Sequence, residues 1–242
     1  MQFNISIAGL IVQVNSVYRT VSRNCGRFMA APDAAPDIVV QTTMEELARD
    51  YQRHLSETGE SLPYRSHECF AIHRKIAEAI VDYGAFLIHG AVVAVNGGAY
   101  LFCAPSGTGK TTHIRLWLEN LPEAFVVNGD KPFIKVEDSG VTVCGSPWQG
   151  KENLGRNCMM PLKAIVFMER GDNNVIREAS FSEVFPSLLG QSYRPQSADG
   201  MRKTLALLKA LQGKLRFYRF TFDNLRDDCF SVAYDALVGG KE

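Results

Sequence analysis

The run Ala99-Tyr100-Leu101-Phe102-Cys103 reads as a strand and leads without a break into Ala104-Pro105-Ser106-Gly107-Thr108-Gly109-Lys110-Thr111. A helical pattern follows at once, with Ile114, Trp117, Leu118 and Leu121 at helical spacing and Pro122 as its stop. A glycine-containing turn between a strand and a helix constrains this chain more than any other feature. Gly107 and Gly109 let the backbone turn tightly, so successive N–H groups and the positive end of the helix dipole converge on one point. Such a point suits a phosphate. Lys110 is placed to reach the β- and γ-phosphates as a point charge, and the Thr111 hydroxyl to ligate Mg²⁺. The expected ligands are therefore a nucleoside triphosphate and Mg²⁺, with Ser106, Gly107, Thr108, Gly109, Lys110, Thr111 and Thr112 as the binding segment. The usual pattern opens on glycine, and Ala104 stands there as a small variant.

The flanks set the fold class. Phe86-Leu87-Ile88 and Ala91-Val92-Val93-Ala94-Val95 are β-rich, and Asn96-Gly97 is a strong hairpin signal leading back into the strand before the loop. After the helix, Phe125-Val126-Val127 is a strand, and Phe133–Val136 pairs plausibly with Val141–Val143 across Asp138-Ser139-Gly140. Further strands are expected at Ala164–Met168 and Leu215–Phe220, and helices near 182–190, 201–212 and 224–238. An ordinary nucleotide-binding domain alternates strands and helices into a parallel sheet. Hairpins on both sides of the loop instead predict an α/β fold with a mixed parallel and antiparallel sheet. Upstream, Met1–Asn15 reads as a strand or hairpin, 23–37 as a surface connection, and Asp37–Gln41 as a strand. Thr42 or Thr43 is positioned to cap a helix carrying Glu45 and Glu46 in its first turn, and Ile72, Ile76 and Ile80 mark a second helix ending near Gly84. The organisation expected is a small α+β N-terminal lobe, residues 1–64, packed on a catalytic domain of residues 65–242.

Twenty-six basic and 26 acidic residues cancel, which argues against a general nucleic-acid surface. No segment has the roughly 18 apolar residues needed to span a bilayer, and Ile5–Val12 lacks the charged start of a signal peptide. The six cysteines are scattered without metal-like spacing, so they read as reduced, mostly buried thiols of a cytoplasmic protein.

Phosphoryl transfer also needs a metal-binding carboxylate and a base for the acceptor hydroxyl. Asp130, 20 residues beyond Lys110 and just after a core strand, is the candidate for both roles; its bland alternative is the opening of a turn before Pro132. His89 lies between apolar strands, where most histidines are satisfied core residues. His54, His67, His73 and His113 show no pairing. Gly145–Glu152 reads equally as a substrate loop or as a structural Trp-Pro corner.

Taken together, His89-Gly90, the Ala-Pro-Ser-Gly-Thr-Gly-Lys-Thr loop and an acidic motif after the next strand resemble the HPr kinase/phosphorylase catalytic domain, within the wider phosphoenolpyruvate carboxykinase-like superfamily. Thr112-His113-x-Arg115-Leu116-Trp117, Asn128-x-Asp130-Lys131-Pro132 and Gly145-Ser146-Pro147-Trp148-Gln149-Gly150-Lys151 are similar to an uncharacterised bacterial branch of that family. The likeness runs from about residue 65 to the C-terminus. It implies His89, Lys110 and Asp130 as catalytic residues, with Asp130 as the base for serine phosphorylation, and Thr111 and Asp130 as Mg²⁺ ligands. The family's Asp-Asp pair is Gly129-Asp130 here, so the expectations are weakened activity, recruitment of Glu152 as a substitute acid, or loss of activity, and no counterpart of the family's HPr-recognition signature is present. The implied activity is an ATP- and Mg²⁺-dependent kinase acting on a hydroxyl of a protein or small molecule. The alternative is a non-catalytic nucleotide-binding accessory or regulatory protein. HPr kinases are oligomeric, so a homo-oligomer is among the expectations the resemblance carries.

Overall fold

The computed structural model describes residues 1–223 and 227–239. It opens with a hairpin, β1 (Gln2–Ile7) and β2 (Leu10–Asn15), joined by a turn in which Ala8 and Gly9 both take positive φ. A short helix α1 (Arg19–Asn24) runs into the 23–37 stretch expected to be a surface connection, and that stretch contains a 3₁₀ turn (Gly26–Phe28). β3 (Ile38–Gln41) then lies parallel to β2 and completes a three-stranded sheet. Thr43 rather than Thr42 caps α2 (Met44–Thr58), its hydroxyl accepting from the Glu46 N–H. α3 (Tyr64–Ala79) runs on through a 3₁₀ turn to Gly84, where the chain adopts left-handed backbone and stops the helix.

The main sheet contains nine strands among the described residues. β4 (Ala85–Leu87), β8 (Phe133–Glu137), β9 (Gly140–Cys144), β10 (Met159–Arg170), β6 (Gly98–Cys103), β5 (Ala91–Val95) and β7 (Phe125–Asn128) lie in that spatial order. β12 (Arg216–Phe222) adds to β10, and β11 (Val175–Ala179) pairs with β12. The sheet is mixed, as expected. β10 runs parallel to both β6 and β12, while its first residues pair antiparallel with β9. β11 was not expected: its polar Arg177 and Glu178 and exposed Val175 give no apolar run to read.

Alternation along β6 divides the core. Ala99, Leu101 and Cys103 face a cluster that includes Val184 and Leu188 of α5 (Phe181–Gln191), Leu208 of α6 (Ala198–Ala210) and Leu211 just beyond it. Tyr100 and Phe102 face the opposite cluster, where Ile114 and Trp117 of α4 (Lys110–Asn120) meet Phe230 and Ala233 of α7 (Asp227–Leu237). The first three residues of the helix expected over 224–238 lie outside the described residues. His113 belongs to this packing: its Nε2 accepts from Trp117 Nε1 at 3.0 Å, and burial pushes its pKa down to about 3. It is a neutral core residue at physiological pH.

A third cluster joins the small sheet to the main one, with Ile5, Val12 and Phe28 packed together with Ile72 and Ile76 of α3 and Phe133 of β8. Glu68 of α3 fixes this junction. Its carboxylate is fully buried and accepts from the N–H groups of Val17 and Tyr18 and from the Thr42 hydroxyl at 2.5, 2.8 and 2.5 Å. Truncation would leave three donors without a partner. Glu68→Ala is therefore expected to cost about 3 kcal/mol or more of stability, measured by chemical denaturation; a loss under ~0.5 kcal/mol, the size of an ordinary surface change, would contradict this role.

Candidate active site

Residues 104–109 turn from the end of β6 to the start of α4, with Gly107 at φ 78° and Gly109 at φ 119°. Gly109 is the residue immediately before the helix, so its left-handed backbone is what aims the first turn of α4 into the loop. Lys110 follows at 8% exposure. Its Nζ donates to the carbonyl of Ala104 at 2.7 Å and of Pro105 at 3.2 Å, across the loop's own base. Burial holds the Lys110 pKa below its usual value, against the pull of Cys103 and Asp130. The Cys103 thiol beneath it is itself pushed up to about 12 by burial and is neutral.

The other half of the site comes from strand pairing. β5 and β7 are antiparallel, with Val92 opposite Asn128. Continuing that register two residues outward sets Gly90 against Asp130, and the Gly90 N–H donates to the Asp130 carbonyl at 2.9 Å. His89 is thereby carried beside Asp130, with Nε2 3.3 Å from Oδ1. Their side chains are 25% and 35% exposed. Burial alone would raise the Asp130 pKa, but the hydrogen bond from His89 and the charges of Lys131 and Lys110 outweigh it and hold the carboxyl below the usual range.

Asn128 fixes the Asp130 backbone. It is fully buried, and its Oδ1 accepts from the N–H groups of Asp130 and Lys131 at 2.9 and 2.8 Å. Its Nδ2 donates to Ser146 O and Oγ at 3.1 and 3.0 Å, and the Ser146 hydroxyl donates to the Lys131 carbonyl at 2.6 Å. This is turn chemistry, as the bland reading of Gly-Asp-Lys-Pro held. The same turn delivers Asp130 to the mouth of the loop. The positioning roles of Asn128 and Ser146 were not anticipated; an asparagine just before Gly-Asp is the signal that could have found them.

One cleft of about 530 Å³ gathers the expected residues: His89, Lys110, Thr111 and Asp130 line it, together with Ser106, Gly107, Gly109 and Thr112. Thr108 is the exception. It borders a separate cleft of about 340 Å³ between the loop and Met168–Arg170, which Ser106 and Gly107 share. Arg115 and Glu152 close the far rim of the larger cleft as an ion pair at 2.7 Å. The segment 145–152 divides into two halves. Ser146 and Gln149 are buried, and Trp148 stacks on His73 at 4.2 Å, forming a corner; Gly150, Lys151 and Glu152 form the exposed rim.

Gly129 has a physical reason. A Cβ there would lie 2.6 Å from the carbonyl oxygen of Gln149, closer than packed atoms tolerate. The corner at 146–149 presses on residue 129, so no side chain of any kind, acidic ones included, fits in this backbone arrangement.

No protein-family model matches the chain, and no curated protein matches it. Among solved structures, the Hpr(Ser) kinase/phosphatase from Coxiella burnetii aligns with 62% of this chain and 95% of its own length, at 9% identity and a TM-score of 0.37. That is a distant structural similarity. Among the described residues, no helix is long and apolar enough to cross a membrane.

The contact at Gly129 is open to test. Gly129→Ala is expected to destabilise the fold by about 1–3 kcal/mol, as overpacking does. Thermal unfolding measures this. An alanine variant as stable as the parent would show that residue 129 is not pressed by Gln149.

Proposed function

We propose that this chain is an ATP- and Mg²⁺-dependent phosphotransferase resembling the HPr serine kinases, which phosphorylates a serine-type hydroxyl on a protein or small molecule. One observation carries the reading: a carboxylate paired with a histidine lines the same cleft as the lysine and threonine of a strand–loop–helix turn. In this reading residues 65–242 are the catalytic domain and residues 1–64 a lobe packed on it.

The loop amides from Ser106 to Thr112 bind the polyphosphate, and Lys110 exchanges its contacts with Ala104 and Pro105 for phosphate oxygens. Asp130 accepts the proton of the acceptor hydroxyl as that oxygen attacks the γ-phosphorus. The bond from the γ-phosphorus to its bridging oxygen breaks, and the electron pair leaves on ADP. His89 holds Asp130 ionised and oriented. Thr111 and Asp130 are hard oxygen donors of the kind Mg²⁺ takes. Among the described residues no cluster of three or more His, Cys, Asp or Glu could hold a metal by itself, and a Mg²⁺ ion sharing its shell with phosphate oxygens and water needs no such cluster. When bound, Mg²⁺ neutralises phosphate charge. Glu152, the substitute acid, is engaged by Arg115; that pairing favours the second reading, a nucleotide-binding accessory protein without transfer.

The two readings separate on variants. Lys110→Met is expected to abolish ATP binding. Asp130→Asn is expected to retain it and to lower turnover by about 10²- to 10⁴-fold, the range for loss of a general base. An Asp130→Asn enzyme with full turnover would remove Asp130 as the base, and ATP binding without turnover by the parent would favour the accessory reading.

The pH dependence has a definite sign. Transfer needs ionised Asp130, whose pKa is depressed, so the rate should hold through neutral pH and fall only below the usual carboxylate range. His89→Ala removes the opposing hydrogen bond and leaves the burial penalty, so the acid limb of the rate profile should move to higher pH. A limb that stays in place or moves down would separate His89 from the ionisation of Asp130.

A further inference from the structure

Asp130 belongs to two clefts. Besides the phosphate cleft it lines a second one, of about 630 Å³, on the side facing the N-terminal lobe. One wall is the end of α1 and the turn after it, with Arg23, Asn24 and Arg27; the other is the corner carrying Trp148, Gln149 and Asn153. The volume is that of a small-ligand pocket, for which about 300–1,000 Å³ is typical. A third cleft, of about 460 Å³, touches His89 but its lining does not include Asp130. An acceptor reaching the base from outside the phosphate cleft therefore enters by the second one.

The charge of that cleft is specific. Asp130 is the acid in its lining, against two arginines. The Arg27 Nη1 group donates to the carbonyls of Asn153 and Gly155 at 2.9 and 3.1 Å, so it braces the wall. The guanidinium of Arg23 is exposed and makes no ion pair or hydrogen bond with the described residues. An unpaired arginine at the edge of a concave site beside a general base is a ready partner for a carboxylate or phosphate, which its planar fork binds bidentately.

We propose that this cleft is the acceptor site and that its acceptor is a small hydroxyl compound bearing a carboxylate or phosphate, received by Arg23. The inference rests on the phosphotransferase reading above and names its substrate class. The hydroxyl lies at Asp130 while the anionic group lies at Arg23, so the γ-phosphoryl group crosses from one cleft to the other past the carboxylate that takes the proton.

The test has a binding arm and a turnover arm, both on the full chain. L-Serine, glycerate, glycerol 3-phosphate and neutral glycerol are offered with ATP and Mg²⁺, and ADP and phosphorylated product are followed; the first two probes report a carboxylate, the third a phosphate. The anionic probes are expected to be phosphorylated with KM values well below that of glycerol. Arg23→Met should raise KM for them by about 10- to 100-fold, the loss of one charge-assisted pair, with little change in kcat. Arg23→Lys should recover part of the loss, and the KM for glycerol should not move. Separately, without nucleotide, the same anions are titrated against the fluorescence of Trp148, the second tryptophan, Trp117, being fully buried. Because Arg23 is exposed and unpaired, its substitution leaves the fold intact, and unfolding midpoints check this.

Equal use of glycerol and the anions, turnover on a protein serine alone, or an Arg23→Met enzyme with parental KM would overturn the proposal and leave the kinase reading standing. Anion binding that Arg23→Met abolishes, with no turnover on any of the four probes, would remove the acceptor role while leaving an anion cleft.

Discussion

The Asn128 side chain is the constraint from which the site is built. An amide buried without partners costs several kcal/mol, and this one has no access to water. Its oxygen accepts two backbone N–H groups and its nitrogen donates to two oxygens of Ser146, which uses its whole hydrogen-bonding capacity. Satisfying it in this way dictates three things at once. The chain after β7 must turn, which points Asp130 outward. The corner at 146–149 must close on that turn, which leaves no space at residue 129. Lys131 is locked by both strands of the corner, its N–H donating also to the Trp148 carbonyl at 3.2 Å. A fully satisfied buried network admits one arrangement, and that rigidity fixes where the Asp130 carboxylate stands.

The electrostatics follow from the same enclosure. Burial lowers the pKa of both Lys110 and Lys131 and would raise that of Asp130. Asp130 opposes the shift in both lysines, and His89 with the two lysines reverses its own, while Lys131 pushes the Lys110 pKa further down. The neutral Cys103 and His73 beneath and beside them add no charge: burial pushes the His73 pKa down to about 3. Lys110 and Lys131 flank Asp130 from different sides: Lys110 lines the cleft at the loop, and Lys131 the cleft of about 460 Å³ beyond His89.

Much of this was legible in sequence because it is local. The strand, turn and helix around Lys110, the Asn96-Gly97 hairpin and the 133–143 hairpin each announce themselves within a dozen residues, and together they gave the mixed sheet. His89 was harder. Its context in sequence is apolar strand, and only the β5–β7 register, a contact 41 residues apart, turns it into the partner of Asp130. The glycine at 129 was legible as a departure from a pattern but not as a necessity, since the Gln149 carbonyl that excludes a side chain is 20 residues away. β11 and α1 carry too few apolar residues to produce a periodic signal. Arg23 and Arg27 had no signal at all, because more than 100 residues separate them from Asp130 and Asn153.

That last separation changes how the N-terminal lobe is understood. As a sequence, residues 1–64 look like an attachment to a nucleotide-binding core. In the structure the lobe's apolar residues share a cluster with α3 and β8, and Glu68 ties the ends of β2 and β3 to the same helix. The lobe cannot shift against the main sheet without exposing that cluster and breaking a buried carboxylate's hydrogen bonds. Arg27 then transmits this fixed position to the wall at 153–155, whose other end is the corner built on Asn128. A lobe held this firmly at one side and bonded to the site's own wall at the other defines the shape of the space outside Asp130. The boundary of that space is thus set in part by a stretch of chain that contributes nothing to the 104–109 turn.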